Sequence, residues 1–126
     1  MDIGELKNRL DHLTKKSEDL DIDFDIEIIK AFSGDYLEGA LSLKDNNIGV
    51  DLSVIVGGKT ETIVLERLMR SAAIRLAEEF EIDKLRRDNN DEKGIYENIF
   101  SQRSYGWLQE ALELFNEYLK KYSYEI

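Results

Sequence analysis

Asp21-Ile22-Asp23-Phe24-Asp25-Ile26-Glu27-Ile28 alternates acid and apolar residues over its whole length. Successive side chains of a strand point to opposite faces, so a period of two marks a β-strand with one dry and one wet face. Ile22, Phe24, Ile26 and Ile28 are the expected core side. Asp21, Asp23, Asp25 and Glu27 are expected to form a straight row of carboxylates in solvent. The alternation slips at Ile28-Ile29, which predicts a β-bulge there.

Two further strands follow. Ser33-Gly34-Asp35 reads as a turn, and Tyr36 to Lys44 as a strand with Leu37, Leu41 and Leu43 inward. Asp45-Asn46 reads as a two-residue hairpin loop, since both residue types tolerate positive φ. Asn47 to Val56 then forms the third strand, with Ile48, Val50, Leu52, Val54 and Val56 inward. This register pairs Leu43 with Ile48, Leu41 with Val50 and Leu37 with Val54. Outward it pairs Glu38 with Ser53 and Ala40 with Asp51, with Lys30 opposite Glu38 and Lys44 near Asp25. The paired apolar residues Leu37, Leu41, Leu43, Ile48, Val50 and Val54 then all fall on one face.

Helices flank the sheet. Ile3, Leu6, Leu10 and Leu13 make one apolar stripe, predicting a helix over residues 2–19. Thr60 is the expected N-cap of a helix from Glu61 to Arg87, buried through Leu65, Leu68, Met69, Ala72, Leu76, Phe80 and Leu85. Ala72-Ala73 would let it approach the sheet closely. Asp88 to Gly94 reads as a polar connector, and Ile95, Tyr96, Ile99 and Phe100 suggest a short helix. Ser104 is the expected cap of a last helix from Tyr105 to Tyr122. The fold class is therefore α+β: one domain over residues 1–126, a three-stranded antiparallel meander with helices on one face, in the order α-β-β-β-α-α-α. Double-stranded-RNA-binding domains share this element order, a likeness of architecture alone.

Composition narrows the function. The chain has 126 residues, no cysteine, no proline and a net charge of −10. Residues 21–59 hold eight acids and three bases, so half of that charge sits in the sheet segment. Such a balance opposes contact with nucleic-acid phosphates, which requires Lys and Arg, and favours basic partners. The N-terminus lacks the basic and apolar regions of a signal peptide, and no apolar run is long enough to span a membrane. A cytoplasmic location is expected.

Catalytic signatures are missing. His12 is the single histidine, and no metal-ligand spacing of the HExxH or Cys/His kind occurs. Asp21-x-Asp23-x-Asp25 opens like a calcium loop, but Ile26 and Phe32 stand where that loop needs Gly and Glu. Ser53 to Thr60 ends in Gly-Lys-Thr like a phosphate-binding loop, but begins with Ser53 and runs through three strand residues. No enzyme, cofactor or metal is expected.

The aspartates themselves need explaining. Aspartate is depleted in strands, yet three alternate in one. Same-face residues lie about 6.6 Å apart, comparable to the phosphate spacing along a nucleic-acid strand. With Glu38 and Asp51 on the same face, the patch fits a basic groove. The leading expectation is a small acidic inhibitor or decoy of a nucleic-acid-handling protein such as a nuclease, in a phage anti-defence or toxin-immunity setting. Alternatives are a dimeric secretion-type chaperone and an interaction domain using its aromatic C-terminal helices. For the last, Tyr105 and Trp107, beside Gly106, are the expected exposed anchors. The oligomeric state is open between monomer and homodimer.

Overall fold

In the computed structural model, described for residues 1–31, 34–47, 50–93 and 101–122 (side chains of 89–93 excepted), three strands form one antiparallel sheet in the order β1-β2-β3. The elements are α1 (Ile3–Asp19), β1 (Ile22–Lys30), β2 (Leu37–Asp45), β3 (Asp51–Gly58), α2 (Glu61–Lys93) and α3 (Gln102–Leu119), then a 3-10 turn at Lys120–Tyr122. The α+β class and the meander hold. The short helix expected at residues 95–100 lies outside the described residues.

Helix boundaries follow their caps. Asp2 accepts from the Glu5 N–H at 2.8 Å and starts α1. The Thr60 hydroxyl accepts from the Ile63 N–H at 3.2 Å, so Gly57-Gly58-Lys59-Thr60 is a sheet exit followed by a cap. For α3 the cap is Ser101, three residues earlier than expected. Its Oγ accepts from the Ser104 N–H at 3.2 Å, while Ser104 itself is fully buried. Helix α2 runs past Arg87 to Lys93. Asp, Asn and Lys differ in helix propensity by only about 0.5 kcal/mol per residue, so the polar segment after Arg87 contains no breaker before Gly94.

The hairpins differ from expectation in two ways. First, β1 pairs with β2 without interruption from Ile22↔Asp45 to Lys30↔Leu37, so there is no bulge. Ile29 instead points outward and is 57% exposed. Lys30 faces Leu37, and Lys44 faces Asp23 where Asp25 was expected. Second, β2 pairs with β3 as Leu43↔Leu52, Leu41↔Val54 and Leu37↔Gly58. The connection is longer than two residues, with the Asp45 N–H donating to the Val50 carbonyl at 2.8 Å. Glu38 consequently faces Gly57, and Ala40 faces Ile55. The displacement is four residues, an even number, so the buried set is unchanged.

Asp45 explains the longer loop. Read as a loop residue, it is a buried strand residue whose Oδ1 accepts from the Asn47 N–H and Nδ2, both at 2.9 Å. Asn47 Nδ2 also donates to the Leu20 carbonyl at 2.8 Å and Ser104 Oγ at 3.2 Å. One side chain thereby ties together the end of α1, the hairpin and the first turn of α3.

The core lies between the sheet and the helices. Ile22, Phe24, Leu41, Leu43, Leu52 and Val54 meet Leu6, Leu10 and Leu13 of α1 and Leu65, Leu68, Met69 and Leu76 of α2. Gly39 lets α2 sit on β2: a Cβ there would lie 2.8 Å from Leu68 Cδ1 and closer still to Val64 Cγ1. Phe24 stacks edge-on against Trp107 of α3, with ring centroids 5.2 Å apart. The opposite face of the sheet carries no described element.

Candidate protein-binding face

The uncovered face follows from the register. Residues Asp23, Asp25, Glu27 and Ile29 point outward from β1, and all are exposed. Across the sheet they form rows: Asp23–Lys44–Asp51, Asp25–Ser42–Ser53, Glu27–Ala40–Ile55 and Ile29–Glu38–Gly57. The acids therefore concentrate along β1, one edge of the sheet. Lys44 stands between Asp23 and Asp51, with no salt bridge to either among the described residues. Glu38 lies at the far end of the face.

Asp21 departs from the row. It precedes β1 and has φ +57°, a left-handed conformation that Asp tolerates in tight turns. Its carbonyl accepts from the Asn46 N–H and Nδ2, each at 3.2 Å. Asn46 Nδ2 also donates to Asp23 Oδ2 at 3.1 Å, anchoring the first carboxylate of the row. The strand row is Asp23, Asp25 and Glu27.

Apolar groups share this face. Ile55 is 68% exposed and Tyr36 46%, with Ile29 nearby in register. Ala31, Tyr36, Glu38, Ile55 and Gly57 line a shallow hollow of about 310 Å³. These residues were not foreseen as binding residues. Their signal was the second apolar phase of β3, where Ile55 interrupts the Leu52-x-Val54-x-Val56 alternation.

A larger cleft of about 560 Å³ opens between α1 and the free edge of β1. Leu10, Thr14, Ile26, Ile28 and Leu65 line it, bridged at one end by the Lys7–Glu61 ion pair. Ile26 and Ile28, expected in the core, are half-buried here. The Ala31 N–H donates to the Tyr36 carbonyl and the Asp21 carbonyl accepts from the Asn46 N–H, at the two ends of the β1–β2 pairing, so antiparallel alternation turns the N–H and C=O groups of residues 22, 24, 26, 28 and 30 to the other edge. No described side chain hydrogen-bonds to them. The β3 edge differs: Arg75 donates to the Ser53 carbonyl and Arg67 to the Gly57 carbonyl.

The aromatic anchors divide. Tyr105 is 37% exposed, edge-on to Phe80 and beneath the Arg87 guanidinium. Trp107 is 3% exposed, and its indole N–H donates to the Leu13 carbonyl at 2.9 Å. An exposed role for Trp107 is therefore overturned: its position on α3 faces α1 and Phe24. His12 is an exposed residue of α1. Among the described residues no cluster of three or more His, Cys, Asp or Glu is placed to hold a metal ion, and no helix is long and apolar enough to cross a membrane.

No protein-family model, curated protein or solved structure matches the chain.

Proposed function

We propose that this chain is a non-enzymatic protein-binding module that engages a basic partner through the outer face of its sheet. The observation that carries this reading is the row Asp23, Asp25 and Glu27: exposed, regularly spaced, and on a face that no described helix covers. Exposed Ile55 and Ile29 beside it supply apolar contact area, and charge then contributes chiefly to encounter rate and choice of partner.

The finer reading is a decoy for a nucleic-acid-handling protein. Three carboxylates at about 6.6 Å intervals offer a basic groove the charge pattern of a phosphate backbone. Asp51 and Glu38 extend the negative field beyond the row, while Lys44 moderates it near Asp23. Such binding is screened over a Debye length of about 8 Å at physiological salt.

A capture experiment tests both levels. Immobilised wild-type chain and the Asp23→Asn/Asp25→Asn/Glu27→Gln variant are compared for proteins retained from the native host, with and without competing duplex DNA. Loss of a retained protein in the variant supports the face, and its displacement by DNA supports the decoy. A genuine partner that survives the triple change at physiological salt rules the face out.

A further inference from the structure

Helix α2 is apolar on two sides. Its buried side packs through Leu65, Leu68, Met69, Ala72 and Leu76. Opposite them, Ile63, Ile74 and Leu85 are 36%, 42% and 60% exposed. Ile63 and Leu85 each stand eleven positions from Ile74. Eleven residues make about three turns at 3.6 residues per turn, so the three side chains fall on one line some 33 Å long.

The charges between them are ordered. Arg67 and Arg70 lie on the N-terminal side of Ile74, Glu78 and Glu81 on the C-terminal side, and all four are exposed. Arg67 mirrors Glu81 about Ile74, and Arg70 mirrors Glu78. The stripe reads apolar, basic, basic, apolar, acidic, acidic, apolar. Turned end for end, it is its own complement. A parallel pairing would set arginine against arginine and glutamate against glutamate.

We propose that two copies of this chain associate through α2, antiparallel about a two-fold axis at Ile74. Ile63 of each copy meets Leu85 of the other. Arg67 meets Glu81 and Arg70 meets Glu78, each contact occurring twice by symmetry. Arg70 also lies 3.8 Å from Glu66 in its own chain. A planar guanidinium with five N–H donors can hold carboxylates on two sides. The second copy is the occupant because the pattern is self-complementary, a property that a different partner would not require. This inference is independent of the acid row, which lies on the strand at the other edge of the sheet from β3 and its α2 arginines.

Sedimentation over a concentration series tests it. The wild-type mass should climb from 14.6 kDa towards twice that value. Arg67→Glu/Arg70→Glu places like charges in contact, as does Glu78→Arg/Glu81→Arg, and like-charge contact costs several kcal/mol. Each should therefore raise the dissociation constant about a hundredfold or more. Mixed in equal amounts, the two variants should recover a one-to-one heterodimer. Ile74→Glu, which sets two carboxylates at the axis, should also abolish association, and keeps the test valid if loss of the Arg67–Gly57 contact disturbs the fold. A wild-type chain that stays monomeric throughout overturns the proposal. So does undiminished association of Ile74→Glu, or a mixture of folded charge variants that fails to pair.

Discussion

Two residues carry effects out of proportion to their size. Gly39 has no side chain to bury, yet its missing Cβ sets the distance between β2 and α2. Gly39→Ala is expected to destabilise the protein by about 1–3 kcal/mol through overpacking against Val64 and Leu68. Gly57→Ala, whose nearest neighbour would be 3.8 Å away, is the matched control and should cost far less. Urea denaturation of both variants decides it. Glu117 is the other case. Its hydrogen bond to the Arg9 guanidinium, 2.7 Å long, holds its carboxyl below the ordinary value and joins α3 to α1. A depressed folded value means that the pair stabilises above the ordinary carboxylate pKa and loses that effect as the pH falls through the depressed one. Arg9→Met should return the Glu117 titration, followed by NMR, towards the ordinary carboxylate value.

At the scale of elements, the connection between β2 and β3 is the most informative. Asn47→Ala removes donors to Leu20, Asp45 and Ser104 at once, leaving the buried Asp45 carboxylate short of a partner. A cost of about 1–3 kcal/mol is expected, and hydrogen exchange should quicken first in the opening turn of α3. The same connection shows what the sequence can convey. Alternation reports which face a side chain occupies, and Leu41, Leu43, Val50, Leu52 and Val54 are all buried as expected. Pairing depends on loop length, and that length was set by a buried aspartate resembling a turn residue. Because the resulting displacement was even, the faces survived a wrong register. Strand continuity was obscured in the same way: exposed Ile29 imitated a bulge. Of the candidate site, Asp23, Asp25 and Glu27 were legible from periodicity alone. Asp21 was not, since a positive φ at the end of α1 leaves no periodic mark. Trp107, expected as an exposed anchor beside Gly106 near the start of the last helix, instead lies on the side of α3 that faces α1 and Phe24, and aromatic type alone does not report that side.

For the molecule as a whole, the charge of −10 acts against its own compactness. The described ion pairs are mainly at the surface, where each contributes little. Raising the ionic strength from very low values to about 0.15 M should therefore raise the melting temperature, as the Debye length contracts to about 8 Å. Calorimetry across a salt series checks this, and a falling midpoint would show that the ion pairs outweigh the repulsion. The two edges of the sheet have a separate consequence. The arginines of α2 occupy outward carbonyls of β3, while the outward backbone groups of β1 have no described partner. In polymer terms the sheet is a monovalent monomer. A growing cross-β stack needs two reactive ends on every unit, and here addition at one end terminates the chain. The carboxylates flanking that end would also repel a second copy offering the same strand. An acidic protein with an accessible strand can therefore escape cross-β stacking at high concentration, its edge left for a strand of opposite charge.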